Sequence, residues 1–283
     1  MYGIMQAVHA DETTVPGSSS PAVDSVPAAD ISFAYSLRLV KSSYAGPLIQ
    51  LRRASDNALQ DFGADASGSL SLSAVTAWSS GSVVSAAVWY NQTGGANAVQ
   101  TTLTAQPVLA AALPLRLTFN GSQWLTVPVS VTVLTNNGID GSLMMVATGS
   151  SNQNFTFGSV VATSAGSARW SAHVNWNDGN AYFDTGICCQ SPRATSNPGF
   201  ATTAQYSFIR YPTSQTSRRN GVVLGGGTVT GSASASADFG IGTATGSGQN
   251  HRGTITEILF TKTGLTGTQL TDIEAGQKTF WAL

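Results

Sequence analysis

One short segment, residues 175–184, gathers residue types that could recognise a sugar. Flat aromatic rings stack on sugar rings, and amide and carboxylate groups hydrogen-bond sugar hydroxyls, as in pockets that combine apolar walls with a few placed polar groups. The candidate carbohydrate-binding residues in this segment are Trp176, Asn177, Asp178, Tyr182 and Asp184. Their spacing makes this segment the first place to expect a ligand.

This segment is expected to form a β-hairpin, which would position its side chains. Asp178-Gly179 is a turn signal between two strand-like runs. Because side chains alternate along a strand, Tyr182 and Phe183 must face opposite sides, and only one of them can enter a core. A plain hairpin and a hairpin that presents a ligand-binding face both remain open.

Hydrolysis of a glycosidic bond requires two carboxylates, one as acid and one as base or nucleophile. The only glutamates are Glu12, Glu257 and Glu274. They fall in the N-terminal segment, in a late strand and in a terminal helix, so they do not suggest a pair. An acid–base pair made of Asp178 and Asp184 is the remaining possibility.

Other catalytic and metal-binding chemistry has little support. His9, His173 and His251 are scattered, without a nucleophile motif or the local ligand spacing that zinc requires. Calcium prefers clustered oxygen ligands, and Asp140, Asp178 and Asp184 are the candidates, although they form no contiguous calcium loop. We therefore expect no cofactor apart from a possible calcium ion at these aspartates.

Composition excludes several classes of protein. Charged residues make up 10% of the 283 residues, against about 25% in an average soluble protein, and the net charge is −1. Nucleic-acid binding needs clustered basic residues, which are lacking, so no nucleic-acid partner is expected. No run of 18 apolar residues is present, and the first residues do not resemble a signal peptide, so neither a membrane span nor secretion by that route is expected.

Local patterns predict an all-β chain from Ile31 onward, because short β-type runs alternate with turn signals. Asn220-Gly221 is the strongest hairpin signal. A helix is predicted at the end, with Thr266 and Gln269 forming a capping box. Ser71–Ala77 could form one or two further helical turns. Residues 16–30 contain three of the ten prolines and almost no large apolar residue. Residues 1–30 are therefore predicted to be an extended arm or linker, either disordered or ordered on a partner.

Four stretches carry a resemblance to a known family. They read AYSLRLVKSSYAGPLIQLRRASDNALQDFGADASG, VWYNQTGGANAVQ, WNDGNAYFDTGICC and ITEILFTKTGLTGTQLTDIEAGQKTF. The chain resembles the catalytic-domain family of fungal α-L-arabinofuranosidase B, whose relatives also occur in bacteriophage virion proteins, and its closing run resembles laminin-G-like modules. The resemblance implies a concanavalin A-like antiparallel β-sandwich, or jelly roll, over residues 31–283 with a short C-terminal helix.

The chain departs from this family at the positions that carry catalysis. The family places its nucleophilic glutamate shortly after a Phe-Asp-Tyr-Gly-Asn-Ala segment, whereas here the comparable segment, 183–188, is followed by no glutamate. The family's Tyr-Asp-Gln motif is altered to Tyr90-Asn91-Gln92. By resemblance, Cys188 and Cys189 would form a vicinal disulfide pressed against a bound sugar; two separate thiols are the alternative.

These departures, together with the low charge and the absence of a recognisable signal peptide, lead to a functional expectation. We expect a non-enzymatic bacteriophage virion protein, a head-decoration, fibre or tail-appendage subunit on the particle surface, assembled in the host cytoplasm. Residues 1–30 would dock on other virion proteins, the subunit would form a homo-oligomer, and the sandwich could bind a host glycan. The alternatives are a glycoside hydrolase of arabinofuranosidase type and a secreted carbohydrate-binding adhesin.

Overall fold

Antiparallel strands dominate the computed structural model, which describes residues 22–110, 113–150, 155–160, 169–186, 193–234, 237–244 and 248–283. Every strand pair in those ranges is antiparallel. The prediction of an all-β antiparallel protein is confirmed.

The strands follow one another through most of the chain. They are β1 Ile31–Ser36, β2 Ile49–Arg53, β3 Leu59–Phe62, β4 Val84–Trp89, β5 Ala98–Val99, β6 Val108–Ala110, β7 Arg116–Asn120, β8 Leu125–Ser130, β9 Gly141–Thr148, β10 Phe157–Ser159, β11 Trp170–His173, β12 Asn180–Thr185, β13 Ala194–Ser196, β14 Ala204–Tyr211, β15 Ser214–Arg219, β16 Val222–Thr228, β17 Asp238–Ile241 and β18 Arg252–Thr261. The α-helices are α1 Leu72–Ser79, α2 Val131–Leu134 and α3 Gly267–Trp281, and short 3-10 turns lie at Ala28–Asp30 and Leu103–Ala105.

Hydrogen bonds join these strands into one continuous, curled sheet. One run is β16–β15–β14–β9–β18–β1, and the other is β13–β12–β11–β10–β17–β8–β5–β4–β2–β3. Strand β6 connects them by pairing with β7, a neighbour of β18, and with β4. At the far ends, β13 lies against β16, where a side chain at Gly225 would collide with the methyl group of Thr195. The sheet is therefore nearly closed and barrel-like.

The main core fills the space between the two runs. Large aromatic side chains meet across it: the Trp170 and Phe260 rings stack at 4.7 Å between centroids, and the Phe157 and Phe208 rings meet edge-on at 5.4 Å. Each of these four side chains is fully buried. Because burying an aromatic side chain removes a large apolar area from water, this layer contributes much of the stability that holds the two runs together.

A second apolar cluster covers the outer surface of β9, β14 and β18. Helix α3 contributes Leu270 and Ile273, and the segment before β1 contributes Ala22, Val23 and Val26. Residues 22–30 thus contact the sheet, while residues 1–21 lie outside the described ranges. The division of the chain at residue 30 stays a prediction.

The turns and helices predicted from local sequence are confirmed, but one predicted helix cap is wrong. At Asn220 and Gly221 φ is 51° and 84°, as the predicted type I′ turn requires, and the segment around Ser71 is helical. The terminal helix is confirmed, but its capping box is wrong: Thr266 makes no side-chain cap hydrogen bond, and the Gln269 amide donates to the carbonyl of Ser25 instead. Within the described ranges, no helix is both long and apolar enough to cross a membrane.

A buried histidine predicts how stability depends on pH. Burial lowers the pKa of His251 from 6.5 to about 4. Between these values the unfolded chain binds a proton that the folded chain excludes, so stability falls as the pH falls from 6.5 towards 4. Over this range the free energy of unfolding falls by about 3 kcal/mol, since one pKa unit corresponds to roughly 1.4 kcal/mol.

Urea unfolding followed at several pH values from neutral to acidic measures this loss. The variant His251→Gln should lose this part of the pH dependence even if it is less stable at neutral pH. An identical pH slope in the parent and the variant would contradict the assignment to His251.

Candidate functional site

The segment singled out in the sequence folds as the β11–β12 hairpin. Gly179 takes up φ of 80° in the turn. Asp178 organises the turn, because its Oδ1 accepts a hydrogen bond from the Asn180 backbone amide at 3.0 Å and its Oδ2 accepts one from the Asn180 side chain at 3.0 Å. The hydroxyl of Tyr182 also donates to Asp178 Oδ2, at 2.6 Å. The phenol and the carboxylate therefore form a pair at an exposed hairpin tip.

Strand pairing places the hairpin side chains on two faces. Ala181 and Phe183 point into the main core and are fully buried, whereas Tyr182 is only half-buried. Tyr182 is the direct partner of His173 on β11. The predicted opposite orientation of Tyr182 and Phe183 is confirmed, and it directs Tyr182 away from the core.

Four aromatic rings cluster on the face that carries Tyr182. His173 lies 4.2 Å from Phe155 and 4.5 Å from Trp176, measured between ring centroids. Trp176 and Tyr182 are 6.1 Å apart and meet edge-on. We name Phe155, His173, Trp176 and Tyr182 the aromatic patch. His173 and Phe155 are buried, while Trp176 and Tyr182 are half-buried and give the patch its accessible surface.

Asp184 lies on the same face but below the surface. Its carboxylate accepts two hydrogen bonds from Arg193, at 2.6 and 2.7 Å, and lies 3.4 Å from Arg169 Nη1. The Asp184 side chain is 0% exposed. The guanidinium of Arg193 also covers the Tyr182 ring at 4.5 Å. Asp184 therefore holds two cations in place and supports Tyr182 from below.

Electrostatics fixes the protonation of the Tyr182–Asp178 pair. Partial burial raises the pKa of Asp178, but the hydrogen bonds from Tyr182 and Asn180 outweigh it and leave the pKa below its ordinary value. The hydrogen bond to Asp178 raises the pKa of Tyr182. At neutral pH the pair consists of an ionised carboxylate and a neutral phenol that donates to it.

The structure brings some predicted site residues together and separates others. Trp176, Asp178 and Tyr182 adjoin one another, Asn177 is exposed in the turn, and Asp184 is buried beneath them. Cys188 and Cys189 lie outside the described residues. The sequence did not predict four further residues of the site, because they reach it only through strand pairing and loop packing: His173, Arg193, Arg169 and Phe155.

The calcium candidates do not share a site in the described ranges. Asp140 accepts a hydrogen bond from the Gly264 amide, far along the chain from the hairpin. No group of three His, Cys, Asp or Glu side chains in those ranges could hold a metal ion. The calcium prediction therefore gains no support from these residues and stays a prediction.

Comparison with solved structures identifies the fold. An arabinofuranosidase complexed with arabinofuranosyl-α-1,2-xylobiose superimposes with a TM-score of 0.71 at 15% identity, over 89% of this chain and 63% of that chain. A GH54 α-L-arabinofuranosidase soaked with a cyclic sulfate inhibitor gives 0.67 at 14% identity, with the same coverage of both chains. This chain shares the fold of an arabinofuranosidase domain. It spans 63% of the length of these enzymes.

Sequence comparisons add nothing to this result. No protein-family model matches the chain, and no curated protein sequence matches it. Identities of 14–15% demonstrate a shared fold and no more. The resemblance noted in the sequence is thus confirmed as a likeness of fold to arabinofuranosidases, without a link to virion proteins.

The comparisons overturn the expected function. The expectation of a non-enzymatic bacteriophage virion protein is contradicted, because the structures that share the fold over most of this chain are glycoside hydrolases. The expectation depended on the family resemblance, the absence of a recognisable signal peptide, the low charge and the missing glutamate.

Proposed function

We propose that this chain is a glycoside hydrolase of arabinofuranosidase type, built on a concanavalin A-like β-sandwich of jelly-roll type. The observation that carries the proposal is the similarity to an arabinofuranosidase over 89% of the chain at a TM-score of 0.71. An exposed carboxylate beside accessible aromatic rings supports it independently.

The aromatic patch supplies the substrate-binding surface. Trp176 and Tyr182 are half-buried, so each keeps part of its ring open to solvent while its packing fixes its orientation. A sugar ring stacks on such a surface, and the exposed Asn177 and Asp178 lie beside it to accept and donate hydrogen bonds to hydroxyl groups. The substrate is an arabinofuranoside.

Asp178 supplies the base of the reaction. It takes a proton from the water that attacks the anomeric carbon, while the glycosidic C–O bond breaks and an aryloxide such as 4-nitrophenolate departs without needing a proton from the protein. A carboxylate whose pKa is lowered stays ionised at neutral pH, which is the state required of the group that activates water. Tyr182 orients this carboxylate through the 2.6 Å hydrogen bond and stabilises its charge.

Asp184 does not form a catalytic pair with Asp178. Both of its carboxylate oxygens are engaged by the guanidinium of Arg193, and one also contacts Arg169. A carboxylate that is neutralised and fully buried in this way cannot approach a sugar. Its role is to hold Arg193 over the Tyr182 ring.

Release of 4-nitrophenol from 4-nitrophenyl α-L-arabinofuranoside tests the proposal. The parent protein should release it, and Trp176→Ala should raise KM more than it lowers kcat, because the ring binds the ground state and the transition state alike. Trp78→Ala is the matched control, since Trp78 packs on Phe62 and Arg53 elsewhere in the fold. Absence of release by the folded parent protein would overturn the proposed function.

A further inference from the structure

A cavity lies at the C-terminal end of α3, on the outer surface of the sheet. Its volume is about 420 Å³, within the range of small-ligand pockets. Val146 on β9 and Thr256 on β18 line it, together with Trp281 of the helix. Thr202 and Thr203, which precede β14, and Arg116 on β7 also contribute. We name this space the α3 cavity.

The α3 cavity is bordered by positive charge. Arg116 and Arg219 line it, and no acidic side chain does. Neither arginine takes part in a salt bridge of the described residues. Lys278 does not line the cavity, but its Nζ donates at 3.2 Å to the carbonyl of Asn220, which does.

The nearest acidic groups are already compensated. Glu274 accepts hydrogen bonds from Arg218 at 2.8 and 3.0 Å. Glu257 pairs with Arg38 at 2.7 Å and accepts a hydrogen bond from Trp281 Nε1 at 3.1 Å.

Arg219 donates to the Gly199 carbonyl at 2.6 Å and lies over the Tyr206 ring, but neither contact neutralises its charge. The arginines that line the cavity therefore have no acidic side-chain partner among the described residues, which favours an anionic ligand.

The other lining groups match a sugar ring. Trp281 is half-buried, and its indole is held in place by the hydrogen bond to Glu257, so it offers a fixed flat surface. Thr202, Thr203 and Thr256 place hydroxyl-bearing side chains around the same space. An aromatic face, hydroxyl groups and two guanidinium groups together fit a sugar that carries a carboxylate, because arginine recognises carboxylates with paired hydrogen bonds.

We propose that the α3 cavity binds a uronic acid unit of an acidic glycan, with its carboxylate on Arg116 and Arg219 and its ring on Trp281. This site is separate from the aromatic patch, which contains none of the residues that line the cavity. Residues 197–203 connect the two: Asn197 donates to the Val174 carbonyl beside the hairpin, and Thr202 and Thr203 line the cavity.

Isothermal titration calorimetry with glucuronic and galacturonic acid oligosaccharides tests this proposal. The protein carries any purification tag at its N-terminus, so that the residues around Trp281 are unchanged. We expect binding in the millimolar range by the parent, weakened about 10- to 100-fold in Arg116→Gln, since a charge-assisted hydrogen bond is lost. Arg116 makes no hydrogen bond or ion pair through its side chain in the described residues, so this variant should fold normally.

Three controls make the outcome decisive. Arg252→Gln removes an equal charge outside the cavity and should bind uronic acids like the parent. The corresponding neutral oligosaccharides should bind at least about tenfold more weakly. Acetate should not compete at concentrations where uronic acid is bound.

Each contrary result overturns the proposal. Equal binding of neutral sugars would remove the role of the arginines, and effective competition by acetate would indicate a simple anion site. Loss of uronic acid binding in Trp176→Ala, but not in Arg116→Gln, would place the ligand on the aromatic patch. Hydrolysis of the arabinofuranoside should be unchanged in Arg116→Gln, so failure here is distinguishable from failure of the proposed function.

Discussion

Replacing Asp178 with asparagine is expected to lower kcat/KM for 4-nitrophenyl α-L-arabinofuranoside by about 10²- to 10⁴-fold. This is the range by which positioned acid–base groups accelerate reactions. The substitution keeps the size of the side chain and its place in the turn but removes the ionised oxygen that accepts the Tyr182 proton at 2.6 Å. Initial rates with the aryl substrate measure the effect.

The pH profile separates a chemical role from a structural one. Because its hydrogen bonds hold the pKa of Asp178 below the ordinary value for an aspartate, the activity of the parent should fall at a lower pH than the titration of an ordinary aspartate would give. Tyr182→Phe removes a hydrogen bond that lowers this pKa, so the acidic limb should move up in pH. A purely structural role for Tyr182 would lower the rate without moving the limb.

A matched control exists elsewhere on the sheet. The Tyr90 hydroxyl donates to Asp61 Oδ1 at 2.8 Å, which is the same phenol–carboxylate contact on β3 and the end of β4. Asp61→Asn should leave hydrolysis unchanged. If Asp61→Asn abolished activity while Asp178→Asn did not, the reaction centre would lie at Tyr90 and the assignment to Asp178 would be wrong.

Replacing Glu257 with glutamine is expected to lower the free energy of unfolding by about 3–5 kcal/mol, the usual cost of leaving a buried charge without its partner. Arg38 and Glu257 are 1% and 0% exposed and share two hydrogen bonds, at 2.7 and 3.1 Å. Glu257 also accepts hydrogen bonds from the Ser36 hydroxyl and from Trp281. The pair thus ties β1, β18 and the end of α3 together.

Urea unfolding of three variants tests the predicted decrease in the free energy of unfolding. The double variant Arg38→Met with Glu257→Leu should be more stable than Glu257→Gln alone, because no buried charge is left over. Asp56→Asn breaks the surface pair with Arg53 and should scarcely move the unfolding midpoint. If Asp56→Asn and Glu257→Gln lowered the free energy of unfolding equally, the Arg38–Glu257 pair would not be desolvated. That result would contradict the buried position of the pair in the structure.

Local sequence signals predicted elements whose geometry is set within a few residues. Asn220-Gly221 predicted its turn because both residues tolerate positive φ. The alternation of side chains along a strand predicted that Tyr182 and Phe183 lie on opposite faces of the sheet. The capping box failed for a tertiary reason: Gln269 reaches the carbonyl of Ser25, which is distant in sequence, rather than the start of its own helix.

The candidate site was only half predictable for the same reason. Trp176, Asp178 and Tyr182 belong to one hairpin, so their spacing in the sequence already placed them together. Arg193 reaches Asp184 from the segment before β13, and His173 reaches Tyr182 through strand pairing. Such contacts depend on register between strands, which a single sequence does not reveal.

Concentrated solutions of sheet proteins tend to aggregate through edge strands that leave backbone groups unpaired. In this chain the contact of Thr195 with Gly225 obstructs the middle of β16, so a second copy cannot extend the sheet along its whole length. The beginning of β16 remains open, with Val222 and Val223 68% and 56% exposed. Lysine at these two valines would therefore protect the protein from self-association without disturbing its interior.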